Sequence, residues 1–117
     1  MALNEYQQRA IKTAVYPRIG ENLTYPVLGL AGEAGEVCNK YKKVDRDDNG
    51  IMTEERRMQI IHELGGVMWY LSAAAYELGI SLELVAVLNL EELRNREATN
   101  TLHGAGDTRG ADALQIK

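Results

Sequence analysis

Phenylalanine is absent from this 117-residue chain, and its aromatic residues are one tryptophan and six tyrosines. Any core must therefore be built from Leu, Ile, Val, Ala, Met and these few rings. Cysteine is nearly absent too: Cys38 stands alone. That excludes an intrachain disulfide and a cysteine-rich zinc site. Its setting in an apolar helical run predicts an inert, buried thiol. No apolar run approaches the ~20 residues that span a bilayer, and the opening segment MALNEYQQRA is polar. A cytoplasmic protein with no membrane partner is the expectation. Nor is there a large excess of one charge: 13 Lys and Arg stand against 17 Asp and Glu, interspersed, for a formal net charge of −4. Nothing in that balance calls for nucleic acid. Period-two alternation, internal repeats and a second domain are missing as well.

What is present is helical patterning in four segments. The first is expected over residues 4–15, with Asn4 as its cap and a stop near Tyr16-Pro17. The second begins near Pro26, a good first-turn residue, and runs to about Lys43. The run Asp45-Arg-Asp-Asp-Asn-Gly50 signals a loop. Thr53 then caps a long third helix, with Glu54 and Glu55 favourable in its first turn and Gly79 just past its end. Ser81 caps a fourth that reaches about Arg96. The reading is an all-α, four-helix bundle over residues 1–97, followed by a Gly-rich tail over 98–117 that is either extended and partly disordered or a segment that closes over a bound ligand.

Chemistry concentrates in two acidic steps. Glu33-Ala34-Gly35-Glu36 sets two carboxylates about 60° apart on one helix face. Glu63-Leu64-Gly65-Gly66 places another on a helix that folds back against the first. Lys40 and Lys43 follow Glu36 on its own face, an order that suits a metal and then the phosphates it neutralises. Mg²⁺ takes oxygen ligands and retains several waters, so a few carboxylates and substrate phosphates complete its shell. One glutamate could act as base toward a metal-held water that attacks phosphorus. The competing reading is a solvated face of Glu–Lys pairs, each worth ~0.2–0.5 kcal/mol. Gly29, Gly32, Gly35, Gly65 and Gly66 argue against the bland version. A mid-helix glycine costs ~1 kcal/mol against alanine, so five near the acids suggest close helix approach or room for a ligand.

With these residues in hand, the chain resembles the MazG family of nucleoside triphosphate pyrophosphohydrolases, an all-α family related to the dimeric dUTPases. The resemblance runs from Asn4-Glu5-Tyr6-Gln7 through Tyr25-Pro26 to Val37, Lys42-Lys43, Glu63-Leu64-Gly65 and Trp69-Tyr70-Leu71. It continues over Asn89 to Arg96 and His103 to Arg109. It implies Mg²⁺-dependent hydrolysis of a (deoxy)nucleoside triphosphate to the monophosphate and pyrophosphate, with Mn²⁺ as the alternative ion. It also implies a homodimer or homotetramer, and a part in nucleotide-pool sanitation. By position, Glu33, Glu36 and Glu63 resemble the metal ligands, and Glu33 or Glu36 the residue that orients or deprotonates water. Lys43 resembles the phosphate-facing lysine. Asn89, Arg96, Asp107 and Arg109 fall in segments implied to bind substrate. Where the family has the Asp of its E-x-x-D step, this chain has Gly66. That removes a ligand and a negative charge, so reduced activity is expected. A nucleotide-binding protein with little turnover is the alternative. Glu92 replaces a residue that is often basic, and a pairing with Arg96 is expected of it. Asn100 stands where Gly is common.

The remaining candidates are weaker. Asp45 to Gly50 matches the start of an EF-hand loop, but Arg56 stands where the bidentate acid is required, so a polar turn is expected. His62 has no second His or Cys at ligand spacing and is read as structural. Tyr70 shares the face of Glu63 and either borders a nucleobase or packs in a core, whereas Trp69 is read as a core or interface ring. The run Leu64, Val67, Met68, Leu71 and Ala73 to Ala75 reads as ordinary core, with a dimer surface as an option.

Overall fold

The computed structural model describes residues 1–99. Four helices occupy that span: α1 Leu3–Ile11, α2 Thr24–Asp47, α3 Glu54–Glu77 and α4 Leu82–Ala98. There is no strand among the described residues, so the all-α expectation holds. No single helix there is long and apolar enough to cross a membrane.

Helices α2 and α3 form a long antiparallel hairpin. Contacts join residue 29 to 70, 33 to 66, 40 to 63 and 48 to 56, one series rising while the other falls. Helix α2 outruns its expected end because Asp45, Arg46 and Asp47 continue the helix. The turn is confined to Asp48, Asn49 and Gly50, with positive φ at the last two. Arg56 donates from Nε to Asp48 Oδ2 at 2.9 Å, fastening the turn to the start of α3. The residue that spoils the calcium loop thus has a structural task.

Capping decides the other boundaries. Thr53 Oγ1 accepts from Arg56 N at 3.1 Å, and Ser81 Oγ accepts from Leu84 N at 3.1 Å, as the sequence predicts. Gly79, at φ 73°, ends α3. Asn4 is a correction: it lies inside α1, after an N-cap at Ala2 that offers no side-chain bond. Its side chain caps a different helix. Asn4 Oδ1 accepts from Glu83 N at 3.0 Å, and Gln7 Oε1 accepts from Leu82 N at 3.0 Å. Three first-turn N–H groups of α4 are satisfied, two of them by α1. Gln7 Nε2 also donates to Ile80 O at 3.1 Å, so this buried amide ties α1 to the α3–α4 corner. Helix α1 itself stops early, at Ile11, where a turn closes through Thr13 and Ala14.

The bundle is open. Helix α4 turns 99° away from α3 and packs on α1 and α3, not on α2. The buried set among the described residues is accordingly small: Gln7, Ala10, Tyr16, Asn22, Pro26, Val44, Ser72, Ala73, Ala75 and Leu82. Two expectations are corrected here. Leu64 is 52% exposed, and Met68 and Leu71 are also exposed, so the outer side of α3 is not core. Cys38 is exposed too, because its face of α2 points away from α3.

Candidate functional site

The hairpin register brings the acids together. Glu33 and Glu36 come from α2, Glu63 from α3, and the Glu33 carboxylate lies over Gly66. An added Cβ at Gly66 would sit 2.5 Å from Glu33 Oε2, so the missing side chain is what lets Glu33 fold there. The Glu33 carboxyl titrates above its ordinary range. Burial is the first cause, followed by a hydrogen bond with Glu63 and the charges of Glu63 and Glu36. The gathering of acidic groups around Glu33 thus makes its charged form less favourable than usual.

Glu36 is linked to this pair through a lysine. Lys40 Nζ stands 4.0 Å from Glu36 Oε2 and 3.9 Å from Glu63 Oε1. Among the described residues, no three His, Cys, Asp or Glu side chains are gathered closely enough to hold a metal ion. The preformed part is the Glu33–Glu63 pair. One or two carboxylates are what Mg²⁺ usually takes from a protein. With the cradle over Gly66, these two carboxylates are a donor set of the kind such an ion takes, and Glu36 lies further off beside Lys40.

Beside Gly66 lies an aromatic pocket of ≈ 310 Å³, lined by Thr13, Val15, Tyr16, Tyr25, Trp69 and Tyr70. Its four rings close a circuit. Tyr16 stacks on Tyr25 at 4.8 Å and 12°, and Tyr25 meets Tyr70 at 6.2 Å. Trp69 meets Tyr70 at 5.0 Å and Tyr16 at 6.4 Å, both nearly edge-on. Tyr70 can lie against α2 only because Gly29 has no Cβ, which would overlap its ring. Its hydroxyl titrates above the ordinary range, through burial first, then the bond with Tyr25 and the nearby Tyr25 and Glu33 charges. Trp69 Nε1 donates to Thr13 Oγ1 at 2.9 Å.

Glu77 holds the pocket's outer wall. Its carboxylate accepts from Tyr16 Oη at 2.5 Å, Gly20 N at 2.7 Å and Asn22 N at 2.8 Å. Burial opposes its ionisation, but these three bonds prevail and keep the carboxyl below the usual range.

The other expected site residues are scattered. Among the described residues Lys40, not Lys43, forms the ion pairs with the acids, and the Lys43 charge acts on Asp47. Asn89 lines a separate, mostly apolar groove with Leu3, Met68, Leu71, Leu82 and Val85. Arg96 pairs with Glu92 at 3.3 Å, as the i,i+4 spacing predicts. Asp107 and Arg109 lie outside the described residues, as do Asn100 and the rest of the tail. Gly32, Gly35 and Gly65 have open space above them, so close approach explains only Gly29 and Gly66. Sequence reasoning missed Tyr16, Tyr25 and Glu77, read Trp69 as a core or interface ring, and put Lys40 on the acid face without naming it a ligand or substrate residue. The near-absence of other aromatics was an available signal: four of seven rings meet in one place.

No protein-family model and no solved structure matches the chain. Among curated proteins, the Gene 37 protein of Mycobacterium phage L5 is 42% identical over 114 residues, spanning 93% of this chain and 100% of that protein.

Proposed function

The chain belongs to the same family as the Gene 37 protein of Mycobacterium phage L5, and we propose that it is a Mg²⁺-dependent (deoxy)nucleoside triphosphate pyrophosphohydrolase. The observation that carries this reading is adjacency. A paired-carboxylate cradle and an aromatic pocket share one wall, Gly66. A nucleotide has the same layout, a flat ring at one end and an anionic, metal-seeking chain at the other. The resemblance to MazG-type enzymes supports the same residues.

In this reading the aromatic pocket takes the base. Its volume of ≈ 310 Å³ is at the small end of ligand sites, about 300–1,000 Å³, and suits one ring system rather than a whole nucleotide. Tyr70, which meets Tyr25 in the pocket, also lies near enough to Glu33 to feel its charge. Glu33, Glu36 and Glu63 would hold the ion. When bound, Mg²⁺ neutralises phosphate oxygens and makes a coordinated water more acidic. Glu33 or Glu36 would orient the attacking water or take its proton. Pyrophosphate leaves and the nucleoside monophosphate remains.

Gly66 favours a second reading, a protein that binds the nucleotide and turns it over slowly or not at all. The carboxylate implied by the resemblance is absent there, and Glu33 occupies its space. Calorimetry with a (deoxy)nucleoside triphosphate and Mg²⁺, run beside a product assay, separates the two. Binding with pyrophosphate release supports the enzyme. Binding without product supports the second reading, and neither would remove both. The exposed apolar sides of α3 and α4, including Leu64 and Leu90 at 52% and 59%, are consistent with the proposed homodimer or homotetramer.

A further inference from the structure

Lys40 occupies a position that the proposed chemistry does not assign. It follows Glu36 by one turn of α2, and its side chain is only 25% exposed. Its ammonium reaches acids on two different helices, Glu36 at 4.0 Å and Glu63 at 3.9 Å. Glu63 is therefore approached from two sides. The Glu33 carboxylate lies over Gly66, three residues along α3, and Lys40 faces Glu63 from further along α2. One ammonium thus bridges two of the three carboxylates.

Both an ammonium and a divalent ion seek the lone pairs of carboxylate oxygens. With Lys40 in place, Glu36 and Glu63 each already have a cation within 4.0 Å. We propose that Lys40 is a built-in counter-ion, spanning the α2–α3 seam and holding Glu36 and Glu63 until a divalent cation displaces it. This rests on the metal reading of the same acids. Lys40 is then a positioning residue that acts through Glu36 and Glu63. It steadies the hairpin without metal and weakens the binding of metal alone. A triphosphate offers the displaced ammonium a new partner, so nucleotide and metal favour each other's entry. By linkage, that coupling is reciprocal.

The test uses Mg²⁺ alone, with no nucleotide, titrated into the full chain and into Lys40→Met and Lys40→Arg. Calorimetry gives the affinity, and the fluorescence of Trp69, the single tryptophan, provides a second reading beside Gly66. Lys40→Met is expected to bind Mg²⁺ about fivefold more tightly, the scale of a partly exposed ion pair. Lys40→Arg is expected to bind as the parent does. In chelator, Lys40→Met should melt below the parent, and Mg²⁺ should raise its melting temperature by more. If Lys40→Met does not fold, Lys40→Gln takes its place in the same comparison. Equal or weaker Mg²⁺ binding by the uncharged variant, with the parent binding normally, overturns the proposal and leaves the metal reading standing. Absence of Mg²⁺ binding in every chain overturns both.

Discussion

Restoring a carboxylate at position 66 acts on the point where fold and chemistry meet. In Gly66→Asp the new Cβ would lie 2.5 Å from Glu33 Oε2 and 2.8 Å from its Cδ. Both atoms are at the far end of a flexible side chain, so Glu33 rotates away and the backbone stays. Helix propensity gains a few tenths, about 0.3 kcal/mol, from replacing a mid-helix glycine. A further negative charge about 4 Å from another costs roughly 1 kcal/mol in a water-like dielectric. Without metal, then, the variant should lose somewhat less than ~1 kcal/mol, or a few degrees in melting temperature. Mg²⁺ reverses the sign. A unit charge about 4 Å from a divalent ion contributes roughly 2 kcal/mol in water, near thirtyfold in affinity. Calorimetric Mg²⁺ titration measures the affinity, melts with and without chelator measure the stability, and pyrophosphate release measures turnover. Gly66→Ala is the control, since it displaces Glu33 without adding a ligand. Unchanged Mg²⁺ affinity in Gly66→Asp, or an equal gain in Gly66→Ala, would refute the reasoning.

Three further outcomes follow from the same geometry. Glu77→Gln should cost about 2 kcal/mol in chemical denaturation, because three donors lose a charged acceptor. The pH dependence has a definite sign. The folded-state value of Glu77 lies below its ordinary 4.5, so its contribution is full above that pH and is lost as pH falls through the folded value. In Glu77→Gln that acid-side slope should shrink, and an unchanged slope would count against the assignment. Gly29→Ala should destabilise by about 1–3 kcal/mol and weaken nucleotide binding, because the methyl takes the place of the Tyr70 ring. Wild-type stability in that variant would show that the ring finds another seat. Tyr25→Ala should reduce nucleotide affinity while leaving Mg²⁺ affinity alone, and a parallel loss of both would merge the two halves of the site.

Local chemistry was the legible part of the sequence. Thr53, Ser81 and Gly79 mark their helix ends because capping involves only neighbouring residues. The pairing of Arg96 with Glu92 is local in the same sense. What escaped depends on register and on partners far along the chain. Asn4 has the composition of a cap, yet the helix it caps begins 78 residues later. Asp45 and Asp47 have loop character, but Arg56 and Asp48 fasten the turn further on. In the site, spacing placed Glu33, Glu36 and Glu63 on facing helices. It could not say that Lys40 rather than Lys43 reaches across, since both share one face of α2. Tyr16 and Tyr25 became part of the pocket only because Glu77, from the far end of α3, draws residues 16–22 inward.

Product identity is the most direct measurement. The chain, incubated with Mg²⁺ and a panel of ribo- and deoxynucleoside triphosphates, should give the monophosphate and pyrophosphate in equal amounts. Turnover should rise in Gly66→Asp and disappear when Glu36→Gln is added to it. Release of orthophosphate and a diphosphate at the first step would contradict the proposed reaction, as would a complete lack of product from both the parent and Gly66→Asp.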